Sequence, residues 1–569
     1  MKKISLFGIL TFAVGCFAAD QGTKDDPLTI NTVQELIQFR DAVSDSGAYK
    51  GVQLKNGGEG LHFKLTADLD LSSVCGRGVG NWRPIGPFEG SFDGANHKIS
   101  NLFIDDSLGE IMNAGFFGPV FNNGSDTLYF KNVVFENAYI RSPGTIGTLL
   151  SQVVTGNVVL QNNVVELNFE SPKEEDAYIH LGGLMGNNVG DWVGVYNNTV
   201  KGSIKITSNK QLSVGGIIGS LVGPGTFEGN TNNATILIDV NAYSLVGGVA
   251  GEIVADYVFK GNMNKGNISV NSPTETVFVG GLVGVNPSLP SAKNVVGNLN
   301  YGKVDVSASY AAVGGLFGFV SGDSNTVLDS CINFGDISYL GSEKQENVQV
   351  GGVAGIWEVK VASRMENNGK IVIKNAISPS VGGIVGFVRP GAKSMDLSNS
   401  VNSGNIYVNN DDVLKGWISG IVGQTDELEN VTLDNCMNKG DILFDGLMDS
   451  TSLYIAALVS VAPQTNLVAN TSSSEGAIPK NTGTTALKKM EPVSKMLVHQ
   501  LGDGCAVLEI PGLEHYGKLQ VGLYSYNGKR VPVQQTQSGN MIFLEGIPSG
   551  HYIIRVKTPF GIKSLRTTL

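Results

Sequence analysis

The acidic residues that could do chemistry in this chain fall in five groups: Asp68 with Asp70, Asp105 with Asp106, Glu174 to Asp176, Asp411 with Asp412, and Asp426 to Glu429. Cutting or eliminating across a glycosidic bond needs paired carboxylates, or a base with Arg, Lys or calcium, on one face. None of the groups recurs at the spacing that would place it beside another. They read as turn-bonding acids (Asp68, Asp70) and solvated loop charge, with calcium between loop acids as the one ion they could hold. The six histidines, His62, His97, His180, His499, His515 and His551, form no HExxH pair, and the cysteines form no CxxC pair. Zinc chemistry is therefore not expected, nor any catalytic residue or cofactor. What remains is recognition. Trp192, Trp357 and Trp417 are the candidate ligand-binding residues, because an aromatic face packs against the apolar face of a sugar ring. Trp82 is expected to be structural.

Positioning such residues is the task of the rest of the chain. Its 569 residues include 75 Gly and only 19 Pro, with 41% hydrophobic and 16% charged residues. Gly excess without Pro excess, and so little charge, argue for a chain that buries apolar surface. The net charge of -11 repels phosphate backbones and argues against nucleic-acid binding. Residues 1–18 read as a secretory signal: Lys2 and Lys3, an apolar run from Ile4 to about Val14, then small residues. Cleavage after Ala18 fits, with lipid attachment at Cys16 as the alternative. No later run is long and apolar enough for a transmembrane helix. Export would leave Cys75, Cys331, Cys436 and Cys505, too few for a disulfide framework.

The strongest signal is a repeat. The hexapeptide Val-Gly-Gly-x-x-Gly begins at Val214, Val246, Val279, Val313, Val350 and Val381, placing its second glycine at Gly216, Gly248, Gly281, Gly315, Gly352 and Gly383. Variants begin at Leu181 and Ile418, and weaker copies lie near Gly115, Ile146 and Ile455. Gly115 and Ala457 are ten intervals apart, which gives a period near 34 residues. A second motif, Asn-x-Gly, runs in phase at Asn264, Asn300, Asn333, Asn367, Asn402 and Asn438. Each copy precedes a stretch of alternating apolar residues, such as Ile268-Ser-Val270, which is the pattern of a half-buried strand. Asn tolerates left-handed backbone and Gly takes positive φ freely, so Asn-x-Gly is expected to be a corner.

Helical repeats also have periods near 34, but these units are rich in Val, Ile, Gly and Asn and lack helical stripes. The predicted fold is all-β: a right-handed parallel β-helix of about eleven repeats, each burying its apolar side against its neighbours. At roughly 4.8 Å per coil the body would be about 50 Å long. Cys331 and Cys436 each sit two residues before a motif Asn, three repeats apart. That is about 14 Å, beyond the reach of a disulfide, so both are expected to fill the interior of one column. A motif repeated along the whole body is structural, so the glycines are not a phosphate loop.

Both ends of a solenoid need covering. Thr32 and Glu35 form a capping box, and Val33, Leu36, Ile37 and Val43 give one face of a short helix ending near Gly47. Residues 463–495 read as a linker. Residues 496–569 alternate as short strands around the turn Asn527-Gly528 and read as a small β-sandwich. The expected organisation is a signal peptide (1–18), a cap and opening segment (27–110), a repeat solenoid (111–462), the linker and the sandwich.

The Val-Gly-Gly-Leu-Val-Gly and Asn-x-Gly units resemble GLUG-motif repeats of bacterial surface proteins. Leu65–Leu71, Trp82–Gly86, Phe88–Gly94, His97–Phe103 and Gly115–Gly118 resemble the segment that opens such repeats. The resemblance covers about residues 27 to 460 and implies a β-helical, adhesin-like extracellular protein without implying one activity. Leu523–Lys529, Ile547–Tyr552 and the basic terminus resemble the C-terminal sorting domain of type IX secretion cargo. That implies the type IX machinery as a partner, and release from or attachment to the outer cell surface. The expected function is non-catalytic adhesion or binding to a polysaccharide, a matrix or another cell. A polysaccharide lyase or glycoside hydrolase on the same scaffold is the alternative.

Overall fold

The computed structural model describes residues 21–106, 109–171, 179–286, 292–322, 325–426, 428, 430–460, 466–477, 497–502, 505–509, 519–525, 529–538, 541–548, 550–558 and 561–568. The signal segment 1–18 and the Asn527-Gly528 turn lie outside them. From Leu28 to Ser474 the chain winds into about twelve coils of parallel strands, a β-solenoid. Three walls run its length. The first has fourteen strands, from Leu28–Ile30 to Asn466–Asn470, and the third has ten, from Phe117–Val120 to Val422–Thr425. In the repeat body the second wall receives the segments between them. One coil shows the plan: Tyr257–Lys260 on the first wall, Met263–Asn264 and Ile268–Gly280 on the second, Val283–Val285 on the third.

Register explains the period. The inward residue before each glycine pair, or before its counterpart in the variant copies, runs Ile146, Leu181, Val214, Val246, Val279, Val313, Val350, Val381, Ile418 and Ile455, each the strand partner of the next. The variable spacing is taken up in loops and bulges, so the interior column stays straight. Alternation then places Val, Ile and Leu inside at every coil, where each loses nearly all contact with water.

The corners differ from the expectation. The glycines of Asn-x-Gly are not among the residues with positive φ. Left-handed backbone falls five residues before that glycine wherever the motif occurs, and at the matching place in other coils, at Asn132, Asn162, Asn197, Gly229, Gly261, Gly297, Ser330, Arg364, Asn399, Asn435 and Thr471. Glycine is needed in Asn-x-Gly because coils approach closely there. A Cβ on Gly302 or Gly335 would sit 2.0 Å from the carbonyl oxygen of Gly266 or Gly302 on the preceding coil. The second glycine of Val-Gly-Gly is equally tight: a Cβ on Gly281 would lie 2.1 Å from Gly315 O and 2.5 Å from Asn300 Cγ. Gly216, Gly248, Gly315, Gly352 and Gly383 face an asparagine and the next glycine carbonyl in the same way. The two sequence motifs run in phase because they touch.

Two polar columns thread the interior. Asn232, Asn264, Asn300, Asn333, Asn367, Asn402 and Asn438 each donate to the next side chain, at 2.8 Å between asparagines and 3.2 Å to Ser474 at the end. Each also closes on the residue two positions ahead, as Asn333 does with Gly335 N and O. The second column starts Asn163, Asn198, Asn230, Asn262, Asn298 and continues through Cys331, Met365, Ser400, Cys436 and Ser472. Cys331 and Cys436 are thus buried, free and three places apart in the column, with Met365 and Ser400 between them, as their phase implied. Buried amides tolerate this setting because every coil supplies the next partner.

Helix α1 (Val33–Ser44) covers the first coils. Thr32 Oγ1 accepts from Glu35 N at 3.1 Å, and Glu35 reaches back to Asn31 N rather than to Thr32 N. Its buried face is Leu36, Phe39, Ala42 and Val43, with Ile37 only half-buried. Phe39 enters an aromatic plug with Phe63, Phe88 and Phe92. Trp82 is buried, stacks on Phe116 at 5.3 Å and donates Nε1 to Phe116 O, a structural role as expected. At the other end Asn466–Asn470 and Ser473–Ser474 form a further coil, so the stack extends into the segment expected as linker. Beyond it, two four-stranded antiparallel sheets share one apolar core including Leu508, Leu523, Leu544 and Ile554, the predicted sandwich. No helix among the described residues is long and apolar enough to cross a membrane, which says nothing of strands.

Candidate functional site: aromatic surfaces on the walls

Among the described residues apolar and asparagine side chains line the coil interior, so the outer faces are where a ligand would meet the chain. On the first wall an outer column runs Tyr129, Val159, Gly194, Thr226. Trp192 and Tyr196 flank Gly194 on its own strand, and both rings lean over it. A Cβ there would lie 2.6 Å from Trp192 Cη2 and 2.5 Å from Tyr196 Cε2. Two rings laid against a glycine in a flat wall make a platform, and Tyr129, 40% exposed, borders it. Val159, also on the outer face, is only 6% exposed. Burial raises the Tyr196 hydroxyl pKa, with Glu228 adding to the shift. Sequence reasoning found Trp192 and missed Tyr196 and Tyr129; the signal was Gly194, a glycine inside a strand at an outward position.

Trp357 is a correction. It is fully buried and its Nε1 donates to Val359 O at 2.7 Å, so its ring face is unavailable to a ligand. It falls in the position after Ile356, where the third wall turns inward; its partner on the preceding coil is Val320. Trp417 is half-buried and stacks on the exposed Tyr454 at 5.8 Å, nearly parallel.

Trp417 and Tyr454 end a longer outer column of the second wall, which runs His180, Ser213, Leu245, Phe278, Ala312, Gln349, Ser380, Trp417, Tyr454. Across the glycine corner the third wall presents Val285, Phe319, Ile356 and Phe387. The two rows pack on each other as an apolar cluster separate from the coil interior. Arg389 lies 5.0 Å over Phe319. At the other end of the row burial holds His180 down to about 4. Burial raises the Glu252 carboxyl, with Ser220 Oγ bonded to it at 3.3 Å. A third aromatic surface is the exposed pair Tyr301 and Phe334, stacked 4.7 Å apart beside a motif asparagine.

The acids behave as structure. Asp68 accepts from Lys98 N and His97, which lowers its pKa, and Asp70 accepts from Ser72 N and Asn101. Asp105 pairs with Arg141, and Asp106 accepts from Ile111 N. Elsewhere on the walls Glu136 pairs with Lys98 and Glu166 with Lys201. Asp426 is exposed in a loop; Glu174–Asp176, Glu427 and Glu429, and the side chains of Asp411 and Asp412, lie outside the described residues. Among the described residues no three His, Cys, Asp or Glu gather as a metal site would require.

No family model matches the chain. Over 160 residues, 26% of the chain, it is 31% identical to a "Putative Gly-rich membrane protein" of Evansella cellulosilytica, of which it covers 16%. Over 211 residues, 35% of the chain, it is 27% identical to "Halomucin" of Haloquadratum walsbyi, of which it covers 2%. The chain therefore spans a small part of the curated relatives it matches. Among solved structures it resembles a "putative immunoglobulin A1 protease" from Bacteroides ovatus at 15% identity and a TM-score of 0.24, over 75% of this chain and 85% of that one. From its own stacked coils, this chain is a repeat β-helix protein.

Proposed function

We propose that this is an exported repeat protein, secreted or held at the cell surface, whose outer walls bind a polymer without cutting it. The observation that carries this reading is the platform of Trp192 and Tyr196 over Gly194. Aromatic rings lying flat on a rigid wall suit the apolar face of a pyranose, and a flat wall suits an extended chain better than a small solute. The names of the matched relatives, a Gly-rich membrane protein and a halomucin, sit well with a surface location. The GLUG-like motifs support membership of the surface-repeat class. The antiparallel sandwich after the solenoid supports a sorting domain read by type IX secretion machinery. Carboxylates engaged by neighbouring cations and turn amides favour binding over hydrolysis. Co-sedimentation with insoluble polysaccharides and whole cells tests the reading. Retention of the wild type, and loss in a Trp192→Ala, Tyr196→Ala double variant, is expected. Unsaturated or reducing products from a soluble polysaccharide panel would replace it with a lyase or hydrolase.

A further inference from the structure

Near the N-terminal end a short loop closes on itself. Gly76 N donates to Gly80 O at 2.9 Å and Gly80 N to Gly76 O at 3.1 Å. The glycines at 76, 78 and 80 adopt φ values of 152°, 80° and 137°, which let so short a hairpin form. The loop lifts Arg77 and Val79 into solvent, Val79 at 55% exposure. Between this loop and the second wall lies an open hollow of about 580 Å³, bordered by Asn81, Phe103, Asp105 and Arg141.

Three features of the hollow point to one kind of ligand. Phe103 stacks on Tyr139 at 5.2 Å on one side and heads its column, so its other side borders the hollow. The polar lining is held in place: Asn81 Nδ2 donates to Asp105 O at 3.1 Å, Asp105 N donates to Asn81 Oδ1 at 2.8 Å, and Arg141 grips Asp105 Oδ1 through Nε at 2.6 Å and through Nη2 at 2.5 Å. That leaves other guanidinium N–H groups of Arg141 and the second Asp105 oxygen free to bond a ligand. Arg77 pairs with no carboxylate among the described residues. Two guanidiniums against one carboxylate give a locally cationic lining on a chain whose net charge is -11.

We infer that this hollow is a subsite for a carboxylate-bearing pyranose, a uronate residue of an acidic polysaccharide. The ring stacks on Phe103, the carboxylate pairs with Arg77, and hydroxyls bond the Asn81–Asp105–Arg141 set. An aromatic face with planar polar side chains suits a pyranose, and an unpaired guanidinium selects the acidic one. This rests on the polymer-binding reading above and gives it a substrate class and a second site.

The test is titration calorimetry on the full chain with trisaccharides of galacturonate, glucuronate and mannuronate, and with the same compounds carboxyl-reduced. At least one uronate trisaccharide should bind. Its reduced form and the Arg77→Ala variant should bind at least tenfold more weakly. Arg77 is exposed on a loop, so an unchanged melting temperature will show that its variant folds. Absence of binding by all three uronates, equal binding of the reduced form, or wild-type affinity in Arg77→Ala would each overturn the inference. Polymer co-sedimentation lost in the Trp192, Tyr196 double variant but kept in Arg77→Ala would leave the wall platform standing alone.

Discussion

Gly315 lies against the amide of Asn333: a Cβ built on the glycine would sit 2.3 Å from Asn333 Cγ and 2.1 Å from Gly352 O on the following coil. The two repeated motifs of the sequence are thus one contact, made once per coil: space fixes the glycine, and the bonds of its column fix the asparagine.

Gly315→Ala should therefore destabilise the solenoid by at least about 3 kcal/mol, because a methyl there must push two coils apart. Gly297→Ala is the control. Gly297 is left-handed at φ 69° but has open space around its missing side chain, so the cost should be about 1–2 kcal/mol. Urea titrations of both variants read the difference, and a reversed order would place backbone strain above coil spacing.

Asn333→Ala removes two donated and two accepted bonds from the buried column. The expected loss is about 2–3 kcal/mol, with hydrogen exchange accelerated most at the coils on either side. An effect spread evenly to both ends of the stack would argue that the column is not a chain of local bonds.

Burial holds the His180 imidazole down to about 4, against an ordinary value of 6.5. A depressed folded-state value means that the fold favours neutral imidazole. This stability is complete above pH 6.5 and is lost as pH falls from 6.5 towards 4, by no more than about 3 kcal/mol. His180→Gln should flatten the melting temperature across that window.

The thiols of Cys331 and Cys436 are pushed up to about 11 by burial. Neither should react with a disulfide reagent at pH 8 until the protein is denatured, when both should. Rapid labelling of the folded protein would mean that the column opens.

Gly194→Val should lift Trp192 and Tyr196 off the first wall, lower polymer retention about tenfold and change the tryptophan emission. Unchanged retention would remove the platform from the binding surface.

Much of the fold was legible because a solenoid writes each interior column into the sequence at every turn. The Val-Gly-Gly and Asn-x-Gly phases, the column shared by Cys331 and Cys436, and the helix begun by Thr32 all follow from that repetition. The function of the motif glycines was misread because a close approach between coils and a left-handed residue both select glycine, and only the neighbouring coil tells them apart. The outer surfaces were least legible. Trp192 and Trp357 look alike in sequence; one lies over Gly194 on the outer face, and the other is buried one place further along its strand. Tyr196, the Phe103 hollow and the apolar rows from Leu245 to Ile356 depend on which strands become neighbours, which no single segment encodes.

The register of the stack is tested most directly by paired cysteines on adjacent coils. Tyr301 and Phe334 occupy the same position one coil apart, and Asn368 lies one coil further. In a background lacking Cys505, Tyr301→Cys with Phe334→Cys should form a disulfide under mild oxidation, since neighbouring strands stand about 4.8 Å apart. Tyr301→Cys with Asn368→Cys, at about twice that spacing, should not. A bond in the second pair, or none in the first, would contradict the stacked-coil arrangement on which every surface described above depends.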